Sequence, residues 1–159
     1  MKRSVVIYKF LSKETEASGG FSVPHGWDIS IIETLLPPGV AFPKIFKEIY
    51  NENAFDEFDS SPITFLENYD GNASEIYKYY ENNIDFIKEC CNLGYLPFAR
   101  SDTGSFDPVC FDLSSNKPGQ GDYAIVLLDH EDIFIGKKNV VKQHISKSLY
   151  QFMRNKIEN

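Results

Sequence analysis

Cysteine is scarce in this sequence, and its three cysteines do not form a disulfide pattern. Cys90 and Cys91 are adjacent in the chain and Cys110 is the third, so the count is odd. Adjacent cysteines do not readily bridge to each other, and an odd count leaves at least one thiol free. Free thiols are typical of a reducing compartment, which predicts a cytoplasmic protein without structural disulfides.

Long apolar runs are also missing. No stretch approaches the roughly 18–20 consecutive apolar residues of a membrane-spanning helix, so no such helix is predicted. The N-terminus carries Lys2-Arg3 followed by S-V-V-I-Y-K-F, which resembles the start of a signal peptide. Lys9 and Lys13 interrupt that run and no small-residue cleavage site follows directly. We therefore expect the N-terminal residues to form an element of the fold.

Motifs for metals, nucleotides and nucleic acids are not found. The cysteines form no C-x-x-C pair, and the three histidines lack the spacing of zinc ligands. Residues 129–132 (D-H-E-D) are expected in a strand, where neighbouring side chains point to opposite faces and do not converge on one ion. There is no G-x-x-x-x-G-K-S/T loop and no stripe of basic and aromatic residues. The sequence therefore predicts no metal, no cofactor and no nucleic-acid partner.

One tetrapeptide resembles a catalytic motif. Asp102-Thr103-Gly104-Ser105 looks like the hallmark of aspartic proteases, in which two aspartates share a proton and activate water. The chain holds no second Asp-Thr-Gly, so this chemistry would require a homodimer. The preceding residues (A-R-S) also lack the apolar anchor of those enzymes. A polar hairpin turn is favoured and no catalytic residue is predicted, with a protease-like enzyme as the remote alternative.

The charge is distributed unevenly. The net charge is −7, but residues 48–89 hold eleven acidic residues against two lysines, a local net of −9. Residues 137–159 hold six basic residues against one glutamate, a local net of +5. The dominant acidic surface repels nucleic acid and anionic membranes and suits a basic partner protein. The alternative is that the acidic side chains only keep the protein soluble.

A change of hydrophobic period along the chain predicts the fold class. The first element is either strand or helix, because V-V-I-Y-K-F favours β-structure without clean alternation. Helices are predicted over residues 28–36, 43–50, 74–94 and 141–152. Strands are predicted over residues 63–66, 96–99, 109–113 (with one buried face), 123–128 and 133–135, with turns at 101–105 and 116–121. Helices, an antiparallel meander and a further helix give an α+β protein.

The middle of the chain resembles a known family. Residues 93–104 read L-G-Y-L-P-F-A-R-S-D-T-G, residues 109–113 V-C-F-D-L and residues 123–131 Y-A-I-V-L-L-D-H-E. In this order they resemble the "L-P-F-A…D-x-G-G-D", "Y/C-x-D" and "D-H-E" segments of the SUKH superfamily. That family comprises immunity proteins of bacterial polymorphic toxin systems, with relatives among fungal cell-wall-synthesis regulators. The likeness covers about residues 29–155. Residues 1–27 are an N-terminal extension outside it, and the glycine-rich acidic motif is one residue longer here.

The resemblance implies a single domain over residues 1–159, with a twisted antiparallel sheet flanked by N-terminal, central and C-terminal helices. Its signature residues are expected to hold the fold rather than to catalyse: Leu96, Pro97, Phe98, Asp102, Gly104, Phe111 and Asp112. Leu96, Phe98, Phe111 and Val126 are expected to alternate into one core. Asp102 and Asp112 are expected to bond backbone groups in adjacent loops, as short acidic side chains do in turns.

The resemblance also implies a binding module rather than an enzyme. The first hypothesis is an immunity protein that neutralises a cognate toxin, such as a basic nuclease, by direct binding. Charge clustering and nearby aromatic residues predict the surface that contacts it: Asp56, Glu57, Asp59, Glu67, Tyr69, Asp70 and Tyr79. The alternative is a regulatory scaffold that binds cellular proteins without any toxin.

Overall fold

A six-stranded antiparallel sheet organises the part of the chain that the computed structural model describes, residues 1–116 and 121–159. The strands β3 to β8 lie in the sheet in chain order, and β1 pairs separately with β2. Within the described residues, the helices and strands confirm the α+β class and the curled meander. Their bounds are α1 (Arg3–Ala17), β1 (Ser22–Pro24), α2 (Ser30–Glu33), α3 (Lys44–Glu52), β2 (Asn53–Phe55), β3 (Phe58–Ser60), β4 (Ile63–Phe65), α4 (Glu75–Asn82), α5 (Ile84–Asn92), β5 (Tyr95–Ser101), β6 (Pro108–Asp112), β7 (Ala124–Leu128), α6 (His130–Phe134), β8 (Val141–Ser146) and α7 (Leu149–Glu158).

Hydrophobic side chains cover both faces of the sheet. On one face Phe98 and Phe111 join the main core with residues of α1, α3, α4 and α7. On the other face Cys110 and Val126 pack with residues of α5 and α6. Neighbouring residues of a strand point to opposite faces, so both faces of β6 are buried. The prediction of one buried face for this strand was wrong, and so was the grouping of Val126 with Phe111.

Phenylalanine dominates the main core. Phe46 of α3 is fully buried, and the ring centroids of Phe42, Tyr50, Phe98 and Phe111 lie 4.5–5.5 Å from its own. Edge-to-face and tilted pairs at such distances stabilise a core beyond the area that they bury. Phe46 therefore joins α3 to the middle strands of the sheet.

Residues 1–17 contribute to the same core. α1 packs against α7 and β3, and its Val6 and Phe10 are fully buried. The local sequence favours a strand, but buried positions 6, 7, 10 and 11 recur with helical spacing. Packing of this face against the sheet outweighs the weak local preference, which resolves the choice as a helix. No helix of the described ranges has the length and apolar content needed to cross a membrane.

The helix predicted over residues 74–94 is divided in two. Ser74 caps α4 by accepting the Tyr77 N–H at 3.3 Å, and Gly94, at φ +94°, follows the end of α5. Both ends were predicted. The break falls at Asn83, whose side-chain Nδ2 donates to the Tyr79 carbonyl at 2.8 Å. This bond occupies the carbonyl that a continuous helix would offer to the Asn83 backbone N–H.

Two predictions in the last thirty residues were wrong. Ile133 and Phe134 belong to α6 and Ile135 is its C-cap, so these residues form no strand, because Asp129 caps a helix there. The helix predicted from residue 141 begins only at Leu149, where Ser148 accepts the Gln151 N–H at 3.0 Å. Before it, β8 pairs with β7 and so satisfies its backbone groups in the sheet. The turn predicted at 116–121 falls on residues 117–120, which lie outside the described residues.

Candidate functional site

An open cleft of about 780 Å³ lies where α4, α5, α6 and the β5–β6 connection meet. Its rim carries some of the most exposed apolar side chains of the described chain: Phe106 is 83% exposed, Phe134 71% and Ile135 68%. A cleft of this size falls in the range of ligand and side-chain binding sites. Its walls are formed by Tyr79, Asn83, Phe86, Arg100, Ser105, Phe106, Asp107, Pro108, His130, Glu131, Phe134 and Ile135.

The N-terminal cap of α6 sets the aromatic wall of the cleft. Asp129 Oδ1 accepts the N–H groups of Glu131 and Asp132 at 2.9 and 3.1 Å, which starts the helix at His130. His130 and Phe134 then share one helix face, with ring centroids 6.4 Å apart. The Phe134 ring stacks on Phe86 of α5 at 5.8 Å. The cap therefore determines which side chains of α6 face the cleft.

A buried carboxylate fixes α6 to the sheet. Asp107 Oδ1 accepts the His130 backbone N–H at 2.9 Å and lies 2.7 Å from His130 Nδ1. Its Oδ2 accepts from Lys142 Nζ of β8 at 2.8 Å. Burial alone raises the pKa of Asp107, but the hydrogen bonds from Lys142 and His130 outweigh it and hold the pKa at about 2. Asp107 is therefore a carboxylate at neutral pH and ties β6, α6 and β8 together.

The same cluster is the strongest candidate for a metal site in the described residues. Ligand atoms of Asp107, Asp129 and His130 lie within 4.8 Å of one another. However, Asp107 is already bound to the Lys142 ammonium, and Asp129 caps α6. A cationic neighbour disfavours a further cation, so the arrangement fits a structural ion pair better. The sequence argument against a metal assumed a strand through residues 129–132, and that premise was wrong.

Replacing Asp107 by asparagine is expected to remove a stabilisation that depends on pH. The carboxyl has a folded pKa of about 2 against its ordinary 3.8, so its contribution is complete above the ordinary value and is lost as pH falls through 2. A shift of this size corresponds to about 2 kcal/mol of unfolding free energy. Urea unfolding of wild type and Asp107→Asn should differ by this amount at pH 6 and converge near pH 2. Asp102→Asn, in the same connection, is the control. An equal difference at both pH values would contradict the role of the Asp107 carboxylate.

The residues predicted to contact a partner lie along residues 56–79, from just before β3 to α4, and several also have structural roles. Glu67 accepts the N–H groups of Tyr69 and Glu75 at 3.1 and 2.9 Å, and so supports the start of α4. Asp56 accepts the Phe21 N–H at 3.2 Å. Burial first, and then the charges of Asp56 and Glu67, raise the pKa of Tyr69. These three predicted residues are therefore close together.

Glu57 and Asp59 extend this group towards the cleft. Glu57 pairs with Arg100, while burial and the charge of Glu75 raise the Glu57 pKa against the effect of the guanidinium. Asp59 of β3 is the register partner of Thr64 in β4, and Thr64 is the partner of Arg100 in β5. Arg100 in turn pairs with Pro108 of β6, which lines the cleft. We refer to the following residues together as the acidic strip: Asp56, Glu57, Asp59, Glu67, Tyr69, Asp70 and Glu75.

Tyr79 is the one predicted contact residue that lies in the cleft itself. It lines the wall with Arg100, and both residues also line a smaller depression beside Glu75. Asp70 is exposed, with left-handed backbone at φ +63°, just before the 3-10 turn at Gly71–Ala73. Tyr79 and Arg100 therefore connect the cleft with the acidic strip.

The signature residues lie in the strands of the sheet and in the turns beside them. Leu96, Phe98 and Phe111 are fully buried in the main core, and the carbonyl of Pro97 accepts the Tyr80 hydroxyl at 2.5 Å. Gly104 occupies the β5–β6 turn at φ +76°. Asp112 Oδ1 accepts the Ser114 N–H at 3.0 Å, which confirms its predicted bond to the backbone. Asp102 instead donates its own backbone N–H to the Pro62 carbonyl at 3.0 Å.

The thiols show no sign of activation. Burial raises the pKa of Cys90 to about 12 and that of Cys91 to about 11, and it also raises the pKa of Cys110. A nucleophilic or metal-binding cysteine needs an accessible thiolate near neutral pH. These groups are therefore protonated core residues.

Sequence reasoning missed most of the cleft. Phe106, Asp107, His130 and Phe134 were not predicted as site residues. One signal was present, because an aspartate followed by Glu131-Asp132 is typical of a helix N-terminus. Another was the apolar Phe106 within an otherwise polar turn. The pairing of Asp107 with His130 joins positions 23 apart and has no local signal.

Comparison with protein-family models finds no match for this chain, and comparison with curated proteins finds no significant match either. The likeness to the SUKH superfamily therefore stays a prediction that depends on the quoted segments. The function has to be argued from the geometry of the cleft and the acidic strip.

Proposed function

We propose that this protein is a binding module that inhibits a basic partner protein by covering its functional surface. The single observation that carries the proposal is the junction of the acidic strip with the cleft at Arg100 and Tyr79. Protein interfaces combine apolar anchors at the centre with charged residues around them, and this surface has both. A catalytic role has weaker support, because Asp107 is bound by Lys142 and hydrogen-bonded to His130, and burial raises the pKa of the thiols.

The exposed apolar groups supply the anchor part of such an interface. Phe106 in the β5–β6 connection and Phe134 in α6 both line the cleft and are largely solvent-exposed. Exposed aromatic groups that cluster around a concave site are typical of surfaces that bind a partner. Covering them removes apolar area from water, which favours association.

The acidic charge of residues 48–89 determines which partner proteins the surface favours. Residues 48–89 carry a net charge of −9, which accelerates encounter with a basic protein and repels an acidic one. An inhibitor with this surface competes with an anionic substrate for the same basic site. This agrees with the immunity role in the cytoplasm that the SUKH-like segments imply, with a toxin such as a nuclease as the partner.

Reversing exposed charges of the acidic strip should slow association with the partner. Asp59→Lys and Asp70→Lys alter exposed residues that make no ion pair within the described chain, so both variants should fold. Asp59→Lys also removes the hydrogen bond from the Thr64 hydroxyl at 2.5 Å, so Asp70→Lys is the cleaner of the two variants. We expect each to lower the association rate about tenfold at low salt, and the loss to shrink as salt screens the charges. Glu158→Lys changes the net charge equally within the basic C-terminal segment and breaks only the exposed pair with Arg154, so it is the control.

The partner for this measurement is obtained by capture on the tagged protein in low and high salt, followed by mass spectrometry. The proposal is supported if a basic protein is retained in low salt and loses its own activity when one equivalent of this protein is added. Retention of unrelated housekeeping proteins would instead favour the regulatory scaffold. Equal association rates for Asp59→Lys, Asp70→Lys and wild type would contradict the role of the acidic strip.

A further inference from the structure

The charges that line the cleft are not all paired. Arg100 pairs with Glu57, and Asp107 pairs with Lys142 and His130. Glu131 is exposed in the first turn of α6, and its carboxylate has no ion-pair partner within the described ranges. Its backbone N–H is bound to Asp129, so the backbone of this residue is fixed. Glu131 therefore places a carboxylate without a direct ion pair at the cleft, with the Lys142 ammonium at longer range.

Aromatic rings surround the same space. Phe106 stands edge-to-face with His130 at 5.8 Å between centroids, and Phe134 stacks on Phe86 at 5.8 Å. The face of an aromatic ring carries negative charge density and attracts a cation placed over it. Phe106 and Phe134 are the most exposed of these rings, so their surfaces are open to a ligand.

We propose that the cleft receives a basic side chain, arginine or lysine, of the partner protein. Its aliphatic stem packs between Phe106 and Phe134, and its cationic head pairs with the Glu131 carboxylate. Long basic side chains bury their stems against apolar surface in this way while the head stays near water. This inference rests on the proposed function for the identity of the partner as a protein.

Two other occupants fit the cleft less well. An acidic group would have to displace a carboxylate, because Arg100 is paired with Glu57 and Lys142 with Asp107. A purely apolar side chain would fill the space between the rings but would leave the Glu131 charge without a partner. A basic side chain satisfies both the aromatic walls and the carboxylate, and it agrees with the charge of the acidic strip.

The test uses small amides on the whole protein and needs no partner. The probes are the N-acetyl N-methylamides of arginine, lysine, norleucine and glutamate, titrated into ¹⁵N-labelled protein by NMR. Norleucine has the stem of lysine without its charge. We expect the arginine and lysine amides to shift the amide signals of Phe106, His130 and Phe134, with millimolar Kd values at least about fivefold lower than that of the norleucine amide.

The variants separate the two contributions. Glu131→Gln should abolish the preference for the charged amides over norleucine, and Phe134→Ala should weaken all three. Glu158→Gln, an exposed acidic residue of α7, is the control and should change none of them. The two-dimensional spectrum of each variant reports directly whether it is folded.

Equal binding of the norleucine and lysine amides would overturn the proposal in favour of an apolar pocket. Preferential binding of the glutamate amide, or shifts confined to another surface, would also overturn it. These results do not depend on the capture experiment. A basic toxin can be found although the cleft rejects the amides, and the amides can bind although no toxin is found.

Discussion

Gly26→Ala is expected to lower the free energy of unfolding by about 4 kcal/mol or more, the range of severe steric substitutions. A methyl group at this position would lie 1.9 Å from the Tyr50 carbonyl oxygen and 2.5 Å from that of Asn53. Both obstacles are backbone atoms, so no rotation of a side chain relieves the overlap. The chain must move away from α3, which breaks the His25 N–H bond to the Glu52 carbonyl at 2.9 Å and the pairing of β1 with β2.

Gly104→Ala is the matched control for this prediction. No heavy atom lies within 4 Å of its added methyl group, and only the backbone angle of +76° opposes the change, at about 1 kcal/mol. Urea unfolding followed by fluorescence suits both variants, because Trp27 is the single tryptophan and bonds the Asn68 carbonyl at 2.8 Å. If Gly26→Ala were no less stable than Gly104→Ala, the close approach of residue 26 to α3 would be wrong.

The second large effect is expected for Phe46→Ala. Removing a fully buried phenylalanine leaves a cavity among four other rings, and such changes cost about 3–5 kcal/mol. For a chain of this length the loss corresponds to a decrease in Tm of about 10 °C. Thermal unfolding followed by circular dichroism measures it.

Phe106→Ala provides the comparison for Phe46→Ala, since the same side chain is removed from an 83% exposed position. We expect it to leave Tm within about 2 °C of wild type, because exposed substitutions change stability little. The same variant should weaken the binding of the arginine amide. Similar losses of Tm in both variants would show that Phe106 supports the core rather than the cleft.

Much of the fold follows from local signals. Ser74 and Gly94 mark the two ends of the central helical region, since a hydroxyl accepts a helix N–H and a glycine tolerates positive φ. The strands at 96–99 and 109–113 lie within β5 and within one residue of β6. These features depend on neighbouring residues and so are visible in the sequence.

One secondary-structure prediction was wrong where the spacing of apolar residues fits a helix although the segment forms a strand. Val141, Ile145 and Leu149 are spaced by four and fit a helix, but the first two lie in β8, which pairs with β7. Only the sheet decides between these choices, and the sheet is assembled from residues distant in sequence. The same limit applies to Asp107, whose partners lie in α6 and β8.

The acidic strip illustrates what charge counting omits. Counting identifies the segment, but it does not distinguish an exposed carboxylate from one that stabilises the fold. The Glu67 carboxylate accepts hydrogen bonds from two backbone N–H groups near the start of α4, whereas Asp70 is exposed. Exposure and the lack of an ion pair within the described residues therefore single out Asp59 and Asp70 as the residues to reverse. Of the two, only Asp59 accepts a side-chain hydrogen bond among those residues, from the Thr64 hydroxyl.

The order of the sheet bears on how a partner can attach. β3 and β8 are the two edge strands of the sheet. Unpaired backbone groups on an edge strand can bind a strand of another chain. β3 has three residues and α1 packs against it. β8 shifts register twice against β7 and carries Lys142, with Lys147 just beyond it. Short length, irregular register and lysines discourage strand addition, so we expect the proposed partner to bind through side chains rather than by adding a strand.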